Sequence, residues 1–419
     1  MIRNRSAIVA LLTGLNFLNY LDRFVVAAVL PSIQADLGLS NFEGGLLATV
    51  FLLGYFATSP IFGALGDRAS RKVLIAIGVF TWSLATVASG LADGMLALLA
   101  ARVVVGVGEA SYATLAPTII DDITPPDKKG KTLAIFFLAV PVGSALGYLV
   151  GGFVEHRWGW RAAFYVAGGP GMVLSILCLA IVEPERKLAE AKQRIRDALA
   201  KLVRIPLYRR AVFGYCAHTW AIGAFAYWAP KFLNKRYDLS LKDADFTFGV
   251  VTVVAGAIGT FLGGALADRW LRGLPVPGPD AGHADVANRL AANAQLRVCA
   301  VGVAVAAPAA AIAFLMPGGT AFFTAAGVAE VGLFMSAAPI NAIMLRTAPV
   351  HMRASAMAIA IFAIHLLGDL WSPPLVGLFL DYLPIVAGMM ALPVAFAIGA
   401  FVWWPRAHEA TDPMPEGAG

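Results

Sequence analysis

Residues 14–30 read GLNFLNYLDRFVVAAVL, an apolar run carrying Asp22 and Arg23 side by side. A charged side chain at the middle of a bilayer helix costs about 3 kcal/mol on translocon insertion scales. The pair therefore reads as functional, and its neighbours along the chain say for what. Over 419 residues, 59% are hydrophobic and 14% charged, whereas in soluble domains about a quarter are charged. Stretches of about 20 apolar residues recur along the sequence, each long enough to cross about 30 Å of hydrocarbon. Twelve are expected, at residues 7–30, 43–66, 73–91, 95–120, 131–154, 161–182, 210–230, 245–267, 294–316, 319–345, 353–380 and 382–404. The fold class is thus an all-α integral membrane protein of twelve transmembrane helices. The basic start MIRNRSAIVALL imitates a signal peptide but lacks a small-residue cleavage site, and reads as a retained first span.

Lys and Arg are held on the cytoplasmic side of a membrane. With both termini inside, 24 of the 32 basic residues fall in inner connections, six lie outside, and Arg23 and Arg102 lie within spans. The expected location is the cell membrane. That asymmetry accounts for the net charge of +6, so no nucleic acid is implied. Cys178, Cys216 and Cys299 fall in or beside apolar spans without the spacing of a zinc site or disulfide framework.

Between spans six and seven, residues 183–210 hold nine basic and four acidic residues. Leu188, Ile195, Leu199 and Leu202 recur near helical spacing, so 183–209 reads as an amphipathic helix on the inner leaflet. It separates an N-terminal six-helix bundle, 1–182, from a C-terminal one, 210–405, with a cytoplasmic tail, 406–419. Repetition supports the division: GALGDR at 63–68 returns as GALADR at 264–269, and GEASYATLAPTII in span four is echoed by AEVGLFMSAAPINAI in span ten. Two related six-span halves are an organisation of secondary transporters, with the substrate between the repeats.

In GALGDRASRK, residues 63–72, Gly63 and Gly66 permit close helix approach. Asp67 can cap a neighbouring helix N-terminus, and Arg68 and Arg71 belong in an inner loop. Asp268 and Arg269 repeat the pattern. These residues are expected to form a conformational gate. Plain loop charges would explain the arginines but not the recurrence. Arg102 and Glu109, seven residues apart in span four, share one face about 10 Å apart in depth. Asn16, Asn19 and Arg23 form an i, i+3, i+7 stripe in span one beside Asp22. Asp22 and Arg102 lie at matching depth and can meet. A carboxylate facing a movable guanidinium changes its hold on a proton as the cation comes and goes. Asp22, Arg102 and Glu109 are accordingly the expected proton-coupling residues. A fixed ion pair between spans one and four is the alternative.

These stretches carry a resemblance. GALGDRASRK is similar to the signature loop of the major facilitator superfamily, RVVVGVGEA (102–110) to its fourth-span motif, and WGWRAAF (158–164) to the lead-in to span six. NYLDRFVVAAVLPSIQADLGLS with GLLATVFLLGYFATSPIFGALGDR resembles the Spinster branch. One motif departs: PVGSALGYLVGG (141–152) keeps Gly143, Gly147, Gly151 and Gly152 but has Tyr148 where the superfamily's antiporter motif has Pro, which weakens a drug-antiport reading. The resemblance implies a proton-coupled lipid carrier without cofactor, with Asp22, Arg102 and Glu109 at matching positions, acting as a monomer.

Cations at Arg23 and Arg102 among aromatic and aliphatic walls suit a small amphiphile with an anionic or zwitterionic head, and the Spinster resemblance implies that it is a sphingolipid or lysophospholipid. Asn16, Asn19, Tyr112, Trp228 and Glu330 are the further expected cavity residues. A multidrug or organic-anion carrier of the same fold is the alternative. His365 and Asp369, four apart, can hydrogen-bond on one helix turn, but lack a third ligand for a metal and a nucleophile for a membrane enzyme. Gly130 to Thr132 reads GKT but has Pro125 where a phosphate loop needs glycine, so an ATP-driven pump is not expected. A channel or sensor would lack saturable counterflow.

Overall fold

In the computed structural model the described residues are 2–66, 68–125, 128–183, 195–274, 281–349, 352–406, and side chains are further left aside at 129–131, 134, 195–198, 281–285 and 354. Among them the chain is almost wholly helical: α1 Arg5–Leu37, α2 Asn41–Gly66, α3 Arg71–Ser89, α4 Met95–Ile123, α5 Lys129–Leu179, α6 Ile195–Leu202, α7 Pro206–Tyr237, α8 Leu241–Leu271, α9 Ala281–Leu315, α10 Gly319–Phe334, α11 Ala337–Thr347, α12 Arg353–Ile364, a π-helical turn His365–Asp369, α13 Ser372–Tyr382, α14 Ile385–Met389 and α15 Ala391–Trp403. Among the described residues ten helical stretches are long and apolar enough to cross a membrane.

Local chemistry explains the boundaries. Asn4 caps α1 by accepting from the Ser6 N–H, and α1 stops where Gly38 turns left-handed at φ 67° and donates its N–H to Gln34 O. A 51-residue helix such as α5 would run about 76 Å if straight, too long for one crossing. Gly159, at φ 80° and ψ 167°, breaks it where sequence separates spans five and six, a conformation open to glycine. Counting α5 twice and adding the 32-residue α7, which its polar residues keep out of the apolar set, gives the expected twelve. The expected tenth span is broken between Phe334 and Ala337, and the eleventh passes through the π-helical turn at His365–Asp369, where Gly368 leaves helical geometry at φ −101°, ψ −105°. The 183–209 linker is described only in part, as α6 and the start of α7; residues 184–194 and the tail from 407 lie outside the described residues.

The chain forms two compact units, the first comprising Met1–Leu188, Ala226–Val253 and Pro373–Tyr382, the second Ala189–Phe225, Val254–Ser372 and Leu383–Gly419. The first is therefore larger than the expected 1–182 bundle. Polar contacts within it show why. Lys231 of α7 donates to Gln34 Oε1 and Asn41 Oδ1. Tyr227 donates to Gly44 O at 2.6 Å, and Tyr148 to Ala226 O at 2.6 Å. Asp381 of α13 accepts from the N–H groups of Asn41 and Phe42 at 2.8 and 2.9 Å, which satisfies two of the four orphan donors that open α2.

Glycines set the helix spacing in the first unit. The α4 motif RVVVGVGEA places Gly106 against Phe51 O of α2, and Gly108 so close to α3 that an added Cβ would lie 2.6 Å from Gly78 O. α1 crosses the first half of α5, where a Cβ on Gly143 or Gly147 would come within 2.8 Å and 2.7 Å of Phe17 O and Leu21 O. In the second unit α9 packs against α10, α11 and α15, and His218 of α7 is buried beside Ser336 Oγ at 3.3 Å. Gly106→Val should destabilise the first unit by roughly 1–3 kcal/mol through overpacking. Gly94→Ala, where no atom lies within 4 Å of a built Cβ, should not. Thermal unfolding in detergent micelles, scored for both variants, checks the contrast.

Candidate functional site

The site grows from α1 and α4, which the glycine contacts bring together with α2 and α3. Arg23 Nε donates to Glu109 Oε2 at 2.7 Å, with side-chain exposures of 21% and 0%. Beside this bond Arg102 Nη1 lies 3.5 Å from Asp22 Oδ1, both side chains being almost wholly buried. The expected meeting of Asp22 and Arg102 is thus present, but as the looser of two pairs. The tighter one crosses it: adjacent residues of α1, one acidic and one basic, engage a base and an acid two turns apart on α4. Aromatic faces complete both pairs. The Arg23 guanidinium lies about 5 Å from the ring centres of Tyr20, Phe51 and Tyr55, and that of Arg102 lies 5.1 Å from Phe51. Cation–π attraction of this kind strengthens on desolvation, and the two cations share the Phe51 ring.

Thr86 of α3 donates to Asp22 Oδ2 at 2.6 Å. Sequence reading missed it, because a helical threonine ordinarily bonds its own preceding turn, and Thr86 also has Trp82 O at 2.9 Å. One hydroxyl proton serves one acceptor at a time, so Thr86 can follow the charge on Asp22. Asn19 of α1 is 1% exposed. Asn16, Tyr112 and Trp228, expected to line the cavity, each bond a backbone carbonyl of another helix. Asn16 Nδ2 donates to Phe136 O at 3.0 Å and Tyr112 donates to Leu12 O, both bonds buried between helices. Trp228 is fully buried and donates to Pro373 O at 2.9 Å. A buried amide, phenol or indole needs a partner, and in each case backbone supplies it. Glu330 is 3% exposed in the second unit. His365 Nδ1 lies 2.9 Å from Asp369 Oδ1, as the i, i+4 spacing suggested.

The GALGDRASRK stretch places Gly66 against Leu115 and Gly63 in ordinary contact with Thr114. Asp67 lies outside the described residues, and Arg68 is exposed, as are Asp268 and Arg269 of the second unit. Arg71, by contrast, is buried. Its Nη1 lies 2.7 Å from Asp122 Oδ2 and donates to Thr118 Oγ1 at 3.1 Å, while its Nε donates to Glu183 Oε1 at 3.1 Å. Glu183 also accepts from the Arg71 N–H and from Ser70 Oγ. Glu183 thereby caps α3 and ties it to the segment that follows α5, while Arg71 ties α3 to the end of α4. Sequence reading placed Arg71 in the gate without these partners, because Asp122 and Glu183 lie 51 and 112 residues away.

This architecture is that of a polytopic helical transporter, with ionisable groups paired inside its spans. The model of the Major Facilitator Superfamily matches residues 12–368, and the chain belongs to that superfamily, in its Spinster branch. It is 35% identical to Protein spinster homolog 1 of Homo sapiens over 406 residues, 90% of this chain and 74% of that protein. It is 34% identical to Protein spinster of Drosophila melanogaster over 390 residues, 90% of this chain, and spans 62% of the fly protein. A relative in Arabidopsis thaliana, 32% identical over 88% of this chain and 79% of its own, is named Probable sphingolipid transporter spinster homolog 2. The same fold occurs in a crystal structure described as a bacterial homolog to human lysosomal transporter Spinster, inward-facing and unoccupied, with TM-score 0.81, 22% identity and 96% and 97% of the two chains covered. A D-xylose–proton symporter shares it at TM-score 0.75, 18% identity and coverages of 97% and 99%.

Burial alone would raise the proton affinity of Glu183, but its bonds from Ser70, the Arg71 N–H and the Arg71 guanidinium outweigh it and hold its pKa below the ordinary 4.5. A depressed carboxylate stabilises the fold above its unfolded pKa and loses that stabilisation as pH falls through the folded value. Docking of α3 on Glu183 should therefore be constant from neutral pH down to about 5 and weaken only in stronger acid. In Glu183→Gln it should be weak already at neutral pH. Hydrogen exchange at the Arg71 amide checks this, with roughly tenfold faster exchange expected in the variant at pH 7, as for loss of about 1.4 kcal/mol.

Proposed function

We propose that the chain is a proton-coupled secondary transporter working by alternating access, and that its substrate is an amphiphilic lipid of the sphingolipid or lysophospholipid kind. The observation that carries this is the crossed pairing of Asp22 with Arg102 and Glu109 with Arg23 inside the first unit. Removing one partner of a buried ion pair costs about 3–5 kcal/mol, because a lone charge is left behind. A structural pair alone explains little, since apolar residues of similar volume are often as stabilising. Two such pairs sharing Phe51 instead make a device in which moving one guanidinium changes two carboxylates. A proton can replace a departing guanidinium as the neutraliser of Asp22, and Thr86 is placed to adjust its bond.

Arg23 supplies the substrate side. It is the one member of the two pairs with substantial exposure, at 21%, and Tyr20, Phe51 and Tyr55 surround it. A phosphate or zwitterionic head that draws on Arg23 competes directly with Glu109, so binding the head and protonating Glu109 favour one another. The name of the Arabidopsis relative supports lipid cargo, and the absence of Pro at position 148 speaks against the drug-antiporter alternative. In this reading the repeats 1–182 and 210–405 alternate about the site, Gly63, Asp67, Arg68, Arg71, Asp268 and Arg269 serve the cytoplasmic gate, and Asn19 and Glu330 contribute to the cavity. A monomer in the cell membrane with both termini cytoplasmic completes the proposal.

The test is uptake by proteoliposomes of labelled lysophospholipid or sphingoid lipid, against a small organic acid, with and without a pH gradient. The wild-type protein should accumulate the lipid only with the gradient. Asp22→Asn should lose gradient-driven accumulation by at least about tenfold, a loss of about 1.4 kcal/mol or more of coupling, while lipid counterflow persists. Full accumulation by Asp22→Asn would remove Asp22 from the coupling, and preferential uptake of the small acid would overturn the lipid assignment.

A further inference from the structure

A third acid lies away from the α1/α4 pairs, at the seam where α8 meets the first half of α5 inside the first unit. Asp245, one turn into α8, is 0% exposed, and among the described residues neither of its carboxyl oxygens has a hydrogen-bond donor. It faces Gly152 so closely that a Cβ there would lie 2.6 Å from Asp245 Oδ2 and 3.1 Å from Lys242 Cα. Glu155, one turn further along α5 and on the same helical face, is its charged neighbour. Glu155 has its own donor, Ser32 Oγ of α1 at 2.6 Å. The seam therefore brings two carboxyl groups together in a place that supplies a donor to only one. On the α8 side, Lys242 is the nearby cation by sequence, and Asp243 is turned to its Ser240 cap. On the α5 side, Tyr148 closes the seam against Phe248, but its hydroxyl is committed to Ala226 O.

An ionised carboxylate buried without a donor costs several kcal/mol, and a second carboxylate nearby adds repulsion. Binding one proton removes both penalties. Separation of α5 from α8 removes them too, because water then solvates the charge. Closure of this seam and proton binding are therefore linked in the thermodynamic sense, each favouring the other. Nothing about bilayer insertion requires an acid here, whereas a glycine opposite it is required for the carboxyl to fit. We infer that Asp245, with Glu155 across the seam, is a further proton-binding site of this protein, which takes up one proton as α8 closes on α5 and releases it as they part. The site differs from Asp22 and Glu109 in answering to helix separation rather than to a guanidinium. It extends the proposed coupling but does not depend on it.

Spin labels at His156→Cys on α5 and Phe246→Cys on α8, both exposed positions, in a background with Cys178, Cys216 and Cys299 replaced, report the seam by pulsed dipolar distances in nanodiscs from pH 5 to 9. The closed-to-open ratio should fall about tenfold per pH unit above its midpoint, as for one linked proton. Asp245→Asn, an isostere that needs no proton, should remain closed across the range, and Glu155→Gln should move the midpoint upward. Asp245→Ser guards against a local packing effect of the amide, and should also abolish the pH response. A wild-type seam that ignores pH, or an Asp245→Asn seam that opens with the wild-type midpoint, overturns the inference. A pH-sensitive seam in protein whose uptake ignores the gradient would keep the Asp245 site and sink the coupling proposal. Gradient-driven uptake with a pH-insensitive seam would do the reverse.

Discussion

Two crossed ion pairs between α1 and α4, three of their four side chains almost wholly buried, constrain much of the first unit. Each charge would be expensive alone in the hydrocarbon, on the order of 3 kcal/mol by insertion, and each is tolerable only because its opposite lies within reach. That requirement dictates geometry well beyond the four residues. α1 must present Asp22 and Arg23 at the depth of Arg102 and Glu109. α2 must approach α4 backbone to backbone, so that Phe51 lies against both guanidinium groups, which explains why Gly106 stands opposite Phe51 O. α3 must come close enough for Thr86 to reach Asp22, and Gly108 and Gly78 allow it. The fourth-span motif is thus a single construction: the glycines set the distances at which its Arg and Glu find partners.

The same principle governs the α7, α8 and α13 segments of the first unit, with a different solution. There the polar groups meet across helix ends rather than as ion pairs: Lys231 uses amide oxygens of Gln34 and Asn41, and Asp381 caps the start of α2. Asp245 of α8 has neither carboxyl oxygen bonded among the described residues, beside a glycine that makes room for it. Contacts of this kind are individually modest, about 1.5–3 kcal/mol for a hydrogen bond to a charged group. A carrier needs such contacts to be reversible, and small reversible terms serve that better than a continuous apolar interface.

Much of the fold was legible because the bilayer imposes length and polarity on each crossing. Twelve spans follow from apolar runs, and the break read between residues 154 and 161 contains Gly159, where the structure turns α5. The acid–base character of α1 and α4 was legible because charge in an apolar run is anomalous. Its pairing was only partly so. Helical spacing put Asn16 and Arg23 on one stripe, yet Asn16 turns to Phe136 O of α5, since a stripe covering an arc of roughly 100° of the helix cannot reveal which neighbour faces it. Equal depth matched Asp22 with Arg102, but the longer reach of Arg23 to Glu109 needed the α1/α4 crossing. Thr86, Glu183 and Asp245 were illegible for one reason: each takes its meaning from a partner distant in sequence, and each alone resembles an ordinary helical, capping or interfacial residue.

The most direct test is a count of protons at the moment of binding. Isothermal titration of a short-chain lysophosphatidylcholine, below its micelle concentration, into the purified carrier in buffers of differing ionisation enthalpy gives that number without any membrane gradient. The account requires an exchange that changes with pH, reaching about one proton per bound lipid, and its disappearance in Glu109→Gln combined with Asp22→Asn. Binding that exchanges no proton anywhere between pH 5 and 9 in the wild-type protein would contradict it.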